Sequence, residues 1–225
     1  MPRIYFTSSA CLDEGSGAAL HTRGICFGLA KLTEVIPLLA YSKDSTLNKI
    51  VESGISPQYL VRTKASANGS VHPLNRLMYT FTFFVYLMII LISHRQPSSL
   101  FYIRWTYFSF PLIALMILFR QPYFLEVNSK DGPEQVSMGR RFRAKLSCFL
   151  ENIAVHYSKG IFCISDEISQ YICERYGYPR YKTRVIPNGV EPGITSCNSS
   201  CEDLRDKLGL KQSSDFLIGF MGKGD

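Results

Sequence analysis

Several motifs that mark common classes of protein are missing from this sequence of 225 residues. Its seven cysteines form no C-x-x-C pair, and Cys197 and Cys201 have no second Cys/His pair near them. Neither a metal site nor a disulfide framework is therefore indicated, and we expect reduced thiols. Because Met1–Arg3 leads directly into a short strand-like run, no signal-peptide pattern is present, and we expect a cytoplasmic protein.

Charged residues are also scarce, at 19% of the chain against 46% hydrophobic residues, which is typical of a globular protein with a large core. The formal net charge of +7 favours anionic partners such as phosphates or acidic membrane surfaces. Aromatic residues lie in apolar runs and do not alternate with Lys and Arg, so we expect no nucleic-acid partner.

Short apolar runs alternate with helix-like segments, which predicts an α/β fold: a Rossmann-like, doubly wound and mainly parallel sheet. The predicted strands are Ile4–Thr7, Val35–Tyr41, Tyr59–Arg62, Leu100–Trp105, Pro122–Asn128, Gly160–Ile164 and Thr183–Ile186. The predicted helices are Ala18–Glu34, Leu74–Ile92, Phe108–Phe119, Glu134–Tyr157 and Glu167–Tyr176. A polar loop is predicted from Ser8 to Gly17, and the segment from Asp44 to Ser70 is mostly polar, with one possible strand at Tyr59–Arg62.

Glycines in the first loop, Gly15-Ser16-Gly17, lie where a strand meets the start of a helix. Small residues there let backbone N–H groups approach an anion, although a flexible turn explains them equally well. The loop is not a dinucleotide fingerprint, because Leu20 stands at the third glycine position. The second strand ends at Ala40-Tyr41 without an acidic residue, so a dehydrogenase or an epimerase is not indicated.

Polar residues end two of the predicted strands, in Tyr102-Ile103-Arg104-Trp105 and in Leu125-Glu126-Val127-Asn128. Ligands of open α/β sheets bind at this edge. A structural salt bridge between Arg104 and Glu126 and direct contacts from these residues to a ligand both remain open.

A domain boundary is predicted shortly after residue 186. Pro187 cannot extend a ladder, Asn188-Gly189 favours a tight turn, and a new apolar strand follows at Phe216–Met221. We therefore expect one Rossmann-like domain over residues 1–190, and a linker with the first strand of an incomplete second domain over residues 191–225. Upstream, Ser165 follows the run Phe162-Cys163-Ile164 and is placed to cap the next helix.

The strand ending at Ser165 and the segment Val185-Ile186-Pro187-Asn188-Gly189-Val190-Glu191 resemble, in order and spacing, the retaining glycosyltransferases of family 4. The resemblance implies a GT-B fold whose acceptor-side half is this chain, broken off at the start of the donor half. It also implies sugar transfer from a nucleotide-sugar to a hydroxyl, with the nucleotide-sugar as co-substrate and without a metal or another cofactor.

The resemblance also implies roles for individual residues, although it leaves the catalytic residues unknown. The residues expected to bind the donor diphosphate are Gly15, Ser16, Gly17 and Lys223. Those expected to bind the acceptor are His21, Arg23, Arg104, Glu126 and Asn128. Tyr-x-Arg and Glu-Val-Asn at the strand ends resemble a subset of the family that builds surface polysaccharides, so we expect a glycan or a lipid-linked acceptor.

An apolar segment, Leu77–Ile92, contains only Thr80 and Thr82 as polar residues, and a basic cluster follows later at Arg140–Lys145. The segment is a buried or partner-covered helix, a helix lying on a membrane, or a true span. The basic cluster is a solvated helix face or a contact with an anionic bilayer. With a lipid-linked acceptor, we expect a peripheral protein on the inner face of the plasma membrane.

Two functions thus follow from the sequence. The first is an incomplete glycosyltransferase, nearly inactive by itself because half of the cleft is missing. The second is a non-catalytic half-enzyme that binds a lipid-linked glycan or a partner at the membrane.

Overall fold

The structure is a computed structural model that describes residues 3–13, 17–64, 72–93 and 99–188. The predicted domain boundary, the second-domain strand and three of the predicted site residues, Gly15, Ser16 and Lys223, lie outside these residues.

Seven parallel strands form one sheet in the order β3-β2-β1-β4-β5-β6-β7. The strands are β1 (Arg3–Cys11), β2 (Glu34–Tyr41), β3 (Val61–Arg62), β4 (Ser99–Arg104), β5 (Tyr123–Val127), β6 (Gly160–Cys163) and β7 (Thr183–Val185). The sequence order reverses between β1 and β4, so the predicted doubly wound parallel sheet is confirmed.

Seven helices connect the strands, and each lies close to a predicted segment except the second. They are α1 (Gly17–Ala30), α2 (Asp44–Glu52), α3 (Pro73–Ser93), α4 (Phe110–Leu118), α5 (Asp131–Ser137), α6 (Arg141–Tyr157) and α7 (Asp166–Tyr176). The predicted N-cap of α7 is confirmed, because the Ser165 hydroxyl accepts a hydrogen bond from the backbone N–H of Ile168 at 3.3 Å.

Between Asp44 and Ser70 the sequence indicated only a possible strand, but α2 also lies there. Its N-terminus is stabilised from another element: the Asp13 carboxylate accepts hydrogen bonds from the backbone N–H groups of Ser42 and Lys43 and from the Thr46 hydroxyl. Burial raises the pKa of Asp13, but these hydrogen bonds outweigh it and hold the pKa below its usual range. A distant cap of this kind leaves no signal in the local sequence.

The single helix predicted from Glu134 to Tyr157 is also wrong, because two helices, α5 and α6, share this segment. Gly139 separates them in a left-handed conformation with φ 73°, and the Arg140 N–H closes α5 on the Gln135 carbonyl at 2.9 Å. The apolar spacing continues across the break, so periodicity alone does not reveal it.

The polar loop predicted from Ser8 begins too early, since β1 continues to Cys11. Two serines enter the buried strand because their hydroxyl groups have partners. The Ser8 hydroxyl lies 3.2 Å from that of Thr22, and the Ser9 hydroxyl accepts a hydrogen bond from Thr106 at 2.9 Å. The parallel register shifts between Thr7 and Cys11, where the strand meets these hydroxyl groups.

Helices cover the two faces of the sheet unequally, as right-handed crossovers require. Connections running from β1 towards β3 place α1 and α2 on one face, where they pack on Phe6, Val35 and Leu39. Connections running the other way place α3, α4, α6 and α7 on the opposite face, which contains the larger core. This arrangement directs the N-termini of α1, α3, α4, α6 and α7 towards the carboxyl edge of the sheet.

Candidate functional site

The carboxyl ends of β4 and β5 bring the predicted strand-end residues together. Arg104 is the register partner of Glu126, and Asn128 follows β5 directly. The first turns of α1 lie over the same edge, because the β1–α1 connection returns across it. His21 of α1 therefore reaches Glu126, 105 residues later in the sequence. We call His21, Tyr102, Arg104, Glu126 and Asn128 the edge cluster.

Glu126 lies at the centre of the edge cluster and is 2% exposed. Its Oε1 lies 2.8 Å from His21 Nε2 and accepts a hydrogen bond from Asn128 Nδ2 at 2.5 Å. Its Oε2 accepts a hydrogen bond from the Tyr102 hydroxyl at 2.7 Å. Both carboxylate oxygens thus have partners within the protein, so Glu126 orients its neighbours, and its predicted contact with an acceptor stays a prediction.

The electrostatics of Glu126 follow from these contacts. Burial raises the pKa of the carboxyl, but hydrogen bonds from His21 and Tyr102 and the charge of Arg104 outweigh it, and the pKa falls below its usual range. The same carboxylate, together with burial, raises the pKa of the Tyr102 hydroxyl. Glu126 is therefore ionised at neutral pH, and Tyr102 acts only as a hydrogen-bond donor.

Arg104 forms the salt bridge that the sequence left open, with its Nε 3.8 Å from Glu126 Oε1. Its Nη1 donates hydrogen bonds to the Ala18 carbonyl at 2.7 Å and to the Thr22 hydroxyl at 3.0 Å. Burial lowers the pKa of the guanidinium, and Glu126 opposes that shift. Arg104 thereby joins the start of α1 to the end of β4, and its predicted contact with an acceptor stays a prediction.

Two atoms of the edge cluster are suited to a ligand. Asn128 Oδ1 is buried and has no hydrogen-bond partner among the residues that the structure describes, although Nδ2 of the same amide is held by Glu126. When Glu126 accepts the Nε2 proton of a neutral His21, Nδ1 of that ring becomes an acceptor. Both atoms are matched to ligand hydroxyl groups, which donate hydrogen bonds.

A cavity of about 410 Å³ opens beside Asn128, between the end of β5 and the N-terminus of α7. It is lined by Ser129, Lys130, Ser165 and Glu167 among others, and polar and apolar surface contribute equally to its wall. The Lys130 ammonium forms an ion pair with Glu167 at its rim. Such an open and partly polar hollow suits a hydroxyl-rich ligand better than a wholly apolar one.

Arg23 and Gly17 lie on α1 outside the edge cluster. Arg23 Nη1 donates a hydrogen bond to the Leu12 carbonyl at 3.1 Å, at the end of β1. Gly17 begins α1 and is exposed, with open space where a Cβ would stand. The anion-binding loop before it stays a prediction. The described residues contain no group of three or more His, Cys, Asp or Glu side chains that could hold a metal.

Thr22 is a site residue that the sequence did not single out, and Tyr102 entered the sequence analysis only within the Tyr-x-Arg motif, without a role of its own. Tyr102 alternates with core residues of β4, and its role depends on Glu126 in the adjacent strand. Thr22 is a polar residue on the buried face of α1, where its hydroxyl meets both Ser8 and Arg104. A polar residue at a core position of a helix was the available signal for Thr22.

Comparisons with known proteins agree with the fold. A model of the family described as Glycosyltransferase Family 4 matches residues 15–193. No curated protein matches the chain. Anabaena HepE in complex with UDP-glucose is similar in structure, with 15% identity and a TM-score of 0.57 over 93% of this chain and 50% of that one. The complex of HepE with UDP and glucose gives 16% and 0.56 over the same shares.

Sucrose-phosphate synthase from Thermosynechococcus elongatus is also similar, with 15% identity and a TM-score of 0.60 over 94% of this chain and 53% of that one. The chain therefore spans about half the length of these solved structures and shares its fold with part of each. The family match covers most of the chain, and the chain belongs to glycosyltransferase family 4.

Proposed function

We propose that this chain is the acceptor-side half of a retaining glycosyltransferase that transfers a sugar from a nucleotide-sugar to a hydroxyl of a glycan or lipid-linked acceptor. The observation that supports this most is the cavity at the carboxyl edge of the sheet, which Asn128 lines and where Oδ1 of this residue has no hydrogen-bond partner among the described residues. Two solved relatives in fold, complexes of HepE, contain UDP-glucose or UDP with glucose, which supports a nucleotide-sugar donor.

In this proposal the edge cluster orients the acceptor. Asn128 Oδ1 and His21 Nδ1 accept hydrogen bonds from acceptor hydroxyl groups, and Glu126 and Arg104 hold these two side chains against α1. Fixing an acceptor hydroxyl in one place lowers the entropy barrier of the transfer. No side chain of the described cluster is assigned as the nucleophile.

The donor diphosphate binds at the predicted loop Gly15-Ser16-Gly17 before α1, and Lys223 pairs with it from the second domain. During transfer, the bond from the anomeric carbon to the diphosphate oxygen breaks and a bond to the acceptor oxygen forms. The acceptor proton passes to the departing diphosphate, so no further cofactor is required. The helix N-terminus and basic side chains stabilise the charge that develops on the leaving group.

The partners and location follow from the acceptor. The chain acts in the synthesis of surface polysaccharides or other glycoconjugates, in the cytoplasm, and as a peripheral protein on the inner face of the plasma membrane. The basic excess of the chain supports an anionic partner there.

The test is a transfer assay with the longest natural polypeptide that contains this sequence, radiolabelled UDP-glucose and other nucleotide-sugars, and a membrane lipid extract as acceptor. We expect label in the lipid or glycan fraction, and slower transfer at low acceptor concentration on Asn128→Ala. The matched control is Glu52→Gln, which changes an exposed residue at the end of α2 and should leave transfer unchanged. Acceptor binding without transfer or donor hydrolysis would favour the second candidate, a non-catalytic half-enzyme that binds a lipid-linked glycan.

A further inference from the structure

One helix in the described part of the chain, α3, is long and apolar enough to cross a membrane by length and composition. The structure nevertheless packs one side of it along the sheet, where Tyr79, Phe83, Leu87 and Ile90 are buried in the core. A helix held along its whole length by the domain cannot also span a bilayer. Its outer side must therefore face water, lipid or another protein.

The outer side of α3 is an uninterrupted apolar row. Its members are Leu74, Leu77, Met78, Phe81, Val85, Ile89 and Ile92, which we call the α3 stripe. They are between 39% and 67% exposed, and their spacing follows the helical repeat over about 30 Å. An exposed apolar row of this length marks an interaction surface rather than ordinary surface variation.

Polar groups within the same helix do not oppose contact with lipid. The hydroxyl of Thr80 donates to the Arg76 carbonyl at 2.8 Å, and that of Thr82 donates to the Met78 carbonyl at 3.1 Å. Both hydroxyl protons are thus satisfied inside the helix, so neither donor would be left unpaired when water is removed.

Basic residues lie at the matching end of α6. Arg140 precedes this helix, and Arg141, Arg143 and Lys145 occupy its first two turns, all exposed. We call these four residues the basic patch. Phe142 stands among them and is 79% exposed, so the patch combines positive charge with an apolar side chain. No acidic residue interrupts it between Met138 and Phe149.

The α3 stripe and the basic patch lie in the same helix layer. Helices α3, α4 and α6 form one layer, with α4 in contact with both of the others. A short 3-10 turn after β4, Tyr107–Ser109, touches α3 and α6 at the carboxyl edge of the sheet. The start of the stripe and the basic patch thus flank Tyr107, which is itself 43% exposed.

We propose that the α3 stripe and the basic patch together dock the protein onto an anionic lipid bilayer, with α3 lying along the membrane surface. Apolar side chains enter the acyl boundary while arginines and a lysine meet acidic headgroups. The charge complementarity distinguishes lipid from a second copy of this chain, whose equivalent surface carries the same positive charge. This docking keeps the protein at the membrane that holds a lipid-linked acceptor and, in that respect only, rests on the proposed function.

The experiment is co-sedimentation of the natural protein with vesicles of phosphatidylcholine alone or with roughly one third phosphatidylserine. We expect binding to the anionic vesicles, little binding to the neutral ones, and weakening with added salt. The pair of changes Arg141→Glu and Arg143→Glu should weaken binding about 25-fold or more, because each basic side chain near the surface contributes about fivefold. Leu77→Ser with Phe81→Ser should abolish retention at high salt.

Matched controls lie on another part of the molecule. Lys31→Glu and Leu32→Ser change an exposed base and an exposed apolar residue after α1, and both should leave vesicle binding unchanged. Circular dichroism of every variant separates lost docking from lost folding.

Absence of binding to anionic vesicles overturns the proposal, as does equal binding of the stripe variant and the natural protein. Concentration-dependent dimers that vanish in the stripe variant would assign the stripe to a second copy instead. Vesicle binding needs no sugar transfer, so a protein that docks without transferring sugar contradicts the proposed function alone.

Discussion

Two glutamates, Glu126 and Glu151, are almost fully buried on opposite sides of the sheet. Their surroundings nevertheless shift the pKa values of the two carboxyls in opposite directions. Glu126 has donors on both oxygens and a nearby guanidinium, and its pKa is lowered. Glu151, in α6, accepts one hydrogen bond, from the Tyr176 hydroxyl at 2.5 Å. Its Oε1 has no hydrogen-bond partner within the described ranges.

Burial raises the pKa of Glu151 to about 7, the Tyr176 hydrogen bond opposes this, and the negative charge of Asp131 adds to it. Burial alone therefore does not reveal whether a carboxyl is charged. The number of hydrogen-bond donors around the carboxyl decides whether it is charged. At the strand ends, Glu126 is ionised and holds a binding cluster together, whereas Glu151 lies in the helix layer, close to its midpoint of titration at neutral pH.

The largest expected difference is in global stability. Glu126→Gln leaves Arg104 buried without a charged partner, so we expect a loss of about 3–5 kcal/mol in the free energy of unfolding. Glu151→Gln replaces a carboxyl that is already half protonated at pH 7, and we expect a change within about 1 kcal/mol. Urea unfolding of both variants at pH 7 measures this. Similar losses in the two variants would contradict the comparison.

The second largest difference is expected in the pH dependence of the free energy of unfolding, which should have opposite signs for Glu126 and Glu151. From the ordinary glutamate pKa of 4.5 up to about 7, folded Glu151 keeps a proton that the unfolded chain has released. Its contribution is therefore complete below pH 4.5 and is lost as pH rises, by up to about 1.4 kcal/mol per pH unit relative to Glu151→Gln.

The contribution of Glu126 is present above pH 4.5 and is lost as pH falls through its lowered pKa. Urea unfolding across this range, with each Gln variant as the reference, gives both slopes. A flat slope for Glu151 between pH 4.5 and 7 would show that its carboxyl is already ionised in the folded state.

A smaller effect is expected from the tyrosines that donate to the two carboxyls. Tyr102→Phe removes a hydrogen bond to an ionised group and should reduce stability at pH 7 by about 1.5–3 kcal/mol. Tyr176→Phe removes a hydrogen bond to a half-protonated group, so we expect about 1 kcal/mol. Thermal unfolding of the two variants ranks them, and the reverse order would count against an ionised Glu126.

The smallest expected effect concerns the two unsatisfied oxygens, Asn128 Oδ1 and Glu151 Oε1. Only the first lies beside an open cavity at the carboxyl edge of the sheet. Asn128→Ala removes about one hydrogen bond to the acceptor and should raise its KM by about 3- to 10-fold in the natural protein. Glu151→Gln should leave KM unchanged. Steady-state kinetics with varied acceptor concentration measures both KM values. A raised KM in Glu151→Gln would contradict the claim that, of these two residues, only Asn128 contacts the acceptor.

Local patterns predict much of the fold, because apolar runs and punctuating turns decide where parallel strands lie. The register of Arg104 opposite Glu126 follows from strand ends at one edge. The contacts that break the local pattern could not be predicted. The cap that Asp13 gives to α2 comes from 31 residues away, and His21 reaches Glu126 across 105 residues. Such pairings depend on the tertiary fold, which the local sequence does not encode.

The most direct measurement is a carboxyl ¹³C NMR titration of the protein with labelled glutamate, using the two Gln variants to assign the signals of Glu126 and Glu151. We expect the Glu126 signal to keep its ionised position throughout neutral and mildly acidic pH and to move only below 4.5, while Glu151 titrates near 7. A Glu126 signal that titrates near neutral pH would contradict a charged centre of the edge cluster.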